Sequence, residues 1–160
     1  MFSGGQIVEQ LQQLGITHVV WLPDSTLGPW EQALSTTPGL TLVRVCREGE
    51  AWSVAAGLYL GGAKPLVMIQ CTGLFDSGDA LRNALFDYGL PLLAVIGYRS
   101  YLLPDSIDTA KTFTEPNLKS WGLDYRLIER PEQLELFTEH LQKCLTAGKP
   151  GVVLIAEGRM

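Results

Sequence analysis

Apolar residues recur at Ile7, Leu11 and Leu14, one face of a helix that Ser3 can cap and Gly15 can end. Beyond it the pattern changes to short, continuous apolar runs separated by polar stretches. THVVWL (Thr17 to Leu22), LTLVRV (Leu40 to Val45), PLVMIQ (Pro65 to Gln70), PLLAVIG (Pro91 to Gly97) and GVVLIA (Gly151 to Ala156) are each rich in Val, Ile and Leu. Runs of this kind mark parallel strands buried on both faces. Helical patterns stand between them. One is capped by Ser25 and runs to about Ser35, one runs from Glu48 to about Leu60, and one follows the loop CTGLFDSGD to about Tyr88. A long polar loop then covers Tyr98 to Thr112, with a helix near Pro116 to Trp121 and a weak edge strand at Tyr125 to Ile128. Pro131, at the first position of a helix, starts a last one that reaches Ala147. Regular alternation of strand and helix predicts an α/β fold, an open doubly wound and mostly parallel sheet with helices on both faces. No internal repeat or linker interrupts it, so residues 1–160 read as a single domain.

Composition narrows the function classes. Hydrophobic residues make up 46% and charged residues 18%, a globular balance with none of the signature of disorder. The net charge of −5, without a Lys/Arg run, argues against nucleic acid as a partner. Cys46, Cys71 and Cys144 are widely spaced and odd in number, a pattern of reduced thiols and not of a disulfide framework. The start MFSGGQIVEQLQQLG has no basic head or continuous apolar run, and no apolar stretch is long enough to span a bilayer. The expectation is a soluble, cytoplasmic protein with no membrane partner.

In a doubly wound sheet, ligands bind beyond the carboxyl ends of the strands. Four loops qualify: LPDS, CREGE, CTGLFDSGD and GYRSYLLPDSIDT. No G-x-x-x-x-G-K-[ST] occurs, no G-x-G-x-x-G follows the first strand, and there is no G-x-S-x-G elbow. His18 opens a strand at the wrong end of the sheet and His140 lies mid-helix, so both read as structural or solvent-facing. Glu48 and Glu50 stand in the first turn of a helix, where the helix dipole favours a carboxylate by roughly 0.3–1 kcal/mol. That ordinary explanation suffices for Glu50. For Glu48 a proton-handling role stands beside it.

The stretch CREGEAWSVAAGLYLGGAKPLVMIQCTGLFDSGDALRNALFDYGLPLLAVIGYR resembles the pyrimidine-binding domain of thiamine-diphosphate-dependent enzymes. Glu48 stands nine residues before Gly57 of AAGLY, GGAKP matches the turn that follows, CTGLFDSGD the next loop and PLLAVIG the next strand. GITHVVWLPDSTLGPW resembles the first strand and substrate-side loop, so the likeness covers nearly the whole chain. LPDS, EGEAWSVAAG and IGYR are similar to sulfopyruvate and phosphonopyruvate decarboxylases, and the short chain is similar to a separate alpha subunit of the former. The resemblance implies that Glu48 hydrogen-bonds the ring nitrogen of the cofactor's aminopyrimidine and so promotes loss of the thiazolium proton. It also implies cofactor contacts from Thr72, Gly73 and Leu74, and a substrate side formed by Asp24 and Ser25. Arg99 is the best-placed cation for an anionic substrate, with a solvated arginine as the alternative. Ser25 and Asp24 also suit a helix cap, and Gly73 a tight turn.

Two departures from the family pattern stand in the third loop. Phe75 replaces its second glycine, where it narrows the pocket or meets an apolar substrate, and Asp76 and Asp79 occupy its asparagine positions. Asp76 and Asp79 read as helix-start acids, not as a metal site. The G-D-G signature that holds diphosphate and Mg²⁺ in the family does not occur. The resemblance therefore implies a second subunit that carries the diphosphate domain and the Mg²⁺ ligands, in an α2β2 assembly. Ala51, Ala55, Ala56 and Gly57 would form a close-packed helix at that interface, with plain packing on the sheet as the alternative. The activity implied is decarboxylation of a small 2-oxoacid. A carboligase subunit and a non-catalytic α/β binding or assembly module are the alternatives.

Overall fold

The computed structural model describes residues 2–157. Six strands, β1 (His18–Trp21), β2 (Thr41–Arg44), β3 (Pro65–Gln70), β4 (Leu93–Tyr98), β5 (Tyr125–Ile128) and β6 (Gly151–Ala156), form one sheet in the order β2-β1-β3-β4-β6-β5. Every pairing is parallel. The helices are α1 (Gly4–Gln13), α2 (Glu31–Thr36), α3 (Glu48–Leu60), α4 (Cys71–Asp76), α5 (Gly78–Arg82), α6 (Thr109–Ser120) and α7 (Leu134–Ala147). None of the described helices is long and apolar enough to cross a membrane.

Strand alternation sends neighbouring side chains to opposite faces, and the core divides accordingly. Leu66, Met68, Leu93, Val95, Val153 and Ile155 pack with Ile7, Leu11, Leu34, Phe137 and Leu141 of α1, α2 and α7. Val67, Ile69, Ala94, Ile96, Val152 and Leu154 pack with Ala51, Trp52, Ala55, Leu74, Leu81 and Leu118 of α3 to α6. β3, β4 and β6 are buried along their whole length, which is why their sequences are apolar runs without alternation. β5 is an edge strand, as its weaker pattern predicts.

Four local readings change. Asp24, not Ser25, accepts the backbone N–H groups of Thr26 (2.7 Å) and Leu27 (2.9 Å). A 3-10 turn at Gly28–Trp30 then precedes α2, so that helix begins later than the Ser25 cap implied. CTGLFDSGD is not an open loop: α4 begins directly after β3, and α5 continues into a π-helical turn at Asn83–Asp87. α6 starts at Thr109, capped by Asp108, with Pro116 inside it. The small residues of α3 serve the chain's own core. Ala51 and Ala55 are fully buried and Ala56 nearly so, while Gly57 is exposed. An interface built on all four is therefore corrected to packing on the sheet.

Chain order reverses between β1 and β3, because β1 leads outward to β2 and β3 returns to the other side of β1. The crevice beyond their carboxyl ends is the place for a ligand in such a sheet.

Candidate active site

Three loops converge at that crevice. The loop after β2 delivers Glu48 as the first residue of α3. The start of α4 delivers Thr72, Gly73 and Leu74. The turn after β1 delivers Asp24, Ser25 and Thr26.

Glu48 lies against Gly73. A Cβ at Gly73 would sit 2.5 Å from Glu48 Oε1, 2.7 Å from its Cδ and closer still to its Cγ. Only glycine leaves room for the carboxylate there. Glu48 is half-buried, and among the described residues its carboxylate has no hydrogen-bond or ion-pair partner. Glu50 behaves differently: its Oε2 accepts the backbone N–H of Cys46 at 2.9 Å, tying down the helix entry. The two acids thus divide into one that caps and one that presents a free acceptor. Arg47 Nη2 pairs with Asp76 Oδ1 at 2.9 Å, bracing α3 against α4 beside Glu48. Asp79 is paired with Arg82 at 2.9 Å. Both acids of the i, i+3 pair are therefore engaged by arginines.

A cleft of about 310 Å³ opens next to Gly73, lined by Thr72, Phe75, Arg99, Asp108, Ala110 and Phe113. Phe75 and Phe113 expose their rings. Arg99 is held by Asp108 through Nε to Oδ2 (2.7 Å) and Nη2 to Oδ1 (3.1 Å). The guanidinium holds the Asp108 carboxyl below its ordinary range, because the ion pair favours the charged form. Arg99 is thus a neutralised cation.

Gln70, at the end of β3, links these groups. Its Oε1 accepts from Arg99 Nη1 (3.3 Å) and Thr72 Oγ1 (3.2 Å). Its Nε2 donates to Ser25 Oγ (3.3 Å) and Thr26 Oγ1 (3.1 Å). Thr26 Oγ1 in turn donates to Glu157 Oε2 at 2.7 Å. A Cβ at Gly97 would meet Thr26 Cβ at 2.7 Å, so the glycine of β4 lets the β1 turn fold over the sheet end. Asp24 is committed to capping and to the Trp21 indole (3.3 Å), and burial pushes its carboxyl upward against those bonds. Leu74 is buried in the core and presents no side chain to the crevice.

The structure therefore brings Glu48 and Gly73 into contact, groups Thr72, Ser25 and Arg99 around Gln70, and turns Asp24 and Leu74 inward. Gln70, Thr26 and Glu157 escaped the sequence reading. Gln70 reads as an ordinary strand end, and only the buried polar ends of neighbouring strands could have pointed to it. At the opposite end of the sheet, His18 Nδ1 meets Thr17 Oγ1 at 2.9 Å. His140 and Cys144 are buried there near Asp124, which Lys143 engages at 3.0 Å.

Residues 2–115 match the family described as thiamine pyrophosphate enzyme, N-terminal TPP binding domain. The chain belongs to this family. It is 25% identical over 154 residues to sulfopyruvate decarboxylase of Methanosarcina acetivorans, covering 94% of this chain and 39% of that protein. It is 31% identical over 102 residues to sulfopyruvate decarboxylase subunit alpha of Methanococcus maripaludis, covering 64% of this chain and 61% of the subunit. The chain thus spans less than two thirds of either relative. In fold it is similar to benzoylformate decarboxylase from Polynucleobacter necessarius, with a TM-score of 0.72 and 21% identity over 98% of this chain and 30% of that one.

The site fits the pyrimidine half of the cofactor. Glu48 offers a half-buried carboxylate with no partner among the described residues, packed on a glycine where an added Cβ would displace it.

Proposed function

We propose that this chain is the pyrimidine-binding, alpha-type subunit of a thiamine-diphosphate-dependent 2-oxoacid decarboxylase, similar to sulfopyruvate and phosphonopyruvate decarboxylases. The observation that carries the reading is the Glu48 carboxylate, without a partner among the described residues, seated on Gly73. When bound, thiamine diphosphate supplies the nucleophilic carbon and the electron sink for loss of CO2. This chain's part is to orient and to handle protons. Glu48 accepts or donates a proton at the pyrimidine ring nitrogen, and Gly73 sets how closely that ring can approach. Thr72 and the backbone at Gly73 border the ring. Leu74 fixes their turn from the core. Asp24 shapes the substrate-side turn that exposes Ser25.

The diphosphate and Mg²⁺ belong, in this reading, to a second subunit with a G-D-G motif, in an α2β2 assembly. The relative named as a subunit alpha supports such a partner. The test combines this chain with a G-D-G-bearing partner, thiamine diphosphate and Mg²⁺, and supplies a panel of 2-oxoacids. Release of CO2 with an aldehyde is the expected result, and an acyloin product would reassign the chain to a carboligase. Glu48→Gln should lower kcat about 10²–10⁴-fold, the range of a lost general acid–base group. Unchanged turnover in Glu48→Gln would sink the mechanism. Absence of cofactor binding in every such mixture would favour a non-catalytic module.

A further inference from the structure

We infer that Gln70 is a positioning residue that presents the Ser25 hydroxyl as an outward hydrogen-bond donor, and that Arg99 sets the orientation of Gln70.

The direction of every proton in the network follows from its two ends. A guanidinium carries donors only. The Gln70 atom that faces Arg99 Nη1 at 3.3 Å must therefore be the carbonyl oxygen. This settles an orientation that amide geometry alone leaves open. Arg99 has no freedom to turn away, because Asp108 grips its Nε and Nη2. With Oε1 committed to Arg99 and Thr72, the Gln70 amide must face the β1 turn as a donor. At the other end, the Glu157 carboxylate takes the hydroxyl proton of Thr26 at 2.7 Å. Thr26 Oγ1 then has only lone pairs to offer Gln70 Nε2, at 3.1 Å.

The second amide hydrogen of Gln70 goes to Ser25 Oγ at 3.3 Å. Ser25 therefore accepts from inside, and its own proton finds no acceptor among the described residues. Ser25 is exposed at the crevice while Gln70 is only 8% exposed. The outcome is a hydroxyl with one of its two lone pairs occupied from within and its proton free to turn toward the crevice. Such a group suits an acceptor, the carboxylate or the keto oxygen of a 2-oxoacid. Because Gln70 is neutral and Arg99 is paired, the donor is presented without a free positive charge.

What Ser25 meets rests on the decarboxylase reading, so the test has two arms. The first uses the isolated, ¹⁵N-labelled chain and follows the Gln70 side-chain amide, assigned by its loss in Gln70→Glu. Ser25→Ala should shift one of the two amide proton signals and leave the other. Movement of both alike, or of neither, would overturn the hydrogen-bond assignment. The second arm uses the reconstituted two-subunit enzyme. Gln70→Glu keeps the shape but puts an acceptor where the donor stood, so the Ser25 proton is drawn inward. KM for the 2-oxoacid should rise about tenfold or more, with a smaller change in kcat. Ser25→Ala should act in the same sense, and the double variant should be no worse than the poorer single one. Additive losses, or an unchanged KM in Gln70→Glu, would overturn the positioning role. If Gln70→Glu does not fold, Gln70→Met removes the donor without adding a charge and enters the same cycle. A wild-type complex that turns over no 2-oxoacid would overturn the functional reading and the Ser25–substrate contact with it. The first arm still decides the orientation of Gln70.

Discussion

At the scale of single residues, Gly73 allows folding to be tested apart from the proposed function. It lies within α4, where alanine is favoured over glycine by roughly 0.5–1 kcal/mol. The three atoms nearest to an added methyl are Cγ, Cδ and Oε1 of Glu48, which a rotation about the Cα–Cβ bond of that side chain can carry away. Gly73→Ala should therefore leave the unfolding midpoint in urea unchanged or slightly raised. The displaced carboxylate should cost turnover in the reconstituted enzyme by at least tenfold. A variant that is both stable and fully active would show that the position of Glu48 does not matter. Gly97 presents the opposite case. Its added Cβ would meet the Cβ of Thr26, which sits close to the backbone and cannot swing aside. Gly97→Ala should thus destabilise by about 1–3 kcal/mol, the cost of overpacking a filled site, read from the same urea titration.

At the scale of elements, the ends of the regular pieces carry the information. α1 has a complete capping box. Ser3 Oγ accepts from Gln6 N at 3.2 Å, and Gln6 Oε1 accepts from Ser3 N at 2.9 Å. Ser3→Ala should cost about 1 kcal/mol, a fall of about 2–4 °C in Tm for a domain of this size. An unchanged melting curve would mean that tertiary packing alone holds α1. This cap was visible in the sequence, as were the bounds of β3 and β6, since a buried parallel strand has no way to be written except as an apolar run. α4 was not visible. Thr72, Gly73 and Gly78 are poor helix formers, yet burial of Cys71, Leu74 and Ser77 against the core holds the segment in helical turns. α6 was read too short because Pro116 looks like a first helical position, whereas Asp108 both caps Ala110 N (3.0 Å) and pairs with Arg99. In the site, Glu48 and Gly73 were legible from their spacing and resemblance. Gln70 was not, because nothing local distinguishes a polar residue that ends a strand from one that joins three loops.

At the scale of the whole molecule, stability should depend on pH through a group far from the crevice. Burial holds the His140 imidazole below its ordinary value of 6.5. The unfolded chain then binds more protons than the folded one as pH falls through that value, so stability present above it is lost below it. Urea titrations from pH 8 to pH 5 should show this decline in the wild type and a flatter profile in His140→Gln. Equal slopes would exclude His140 as its source. The sheet carries a different consequence, one of timing. β6 lies between β4 and β5, although β5 precedes it in the chain. A nascent chain that has emerged through β5 still has a gap where β6 must enter, and β5 has no partner to lie against. Completion of the sheet must wait for Gly151–Ala156 to leave the ribosome, and Glu157, which anchors the Thr26 end of the polar chain, arrives only then. The Glu48–Gly73 pair can therefore form early, whereas the polar chain through Thr26 and Gln70 receives its carboxylate end last.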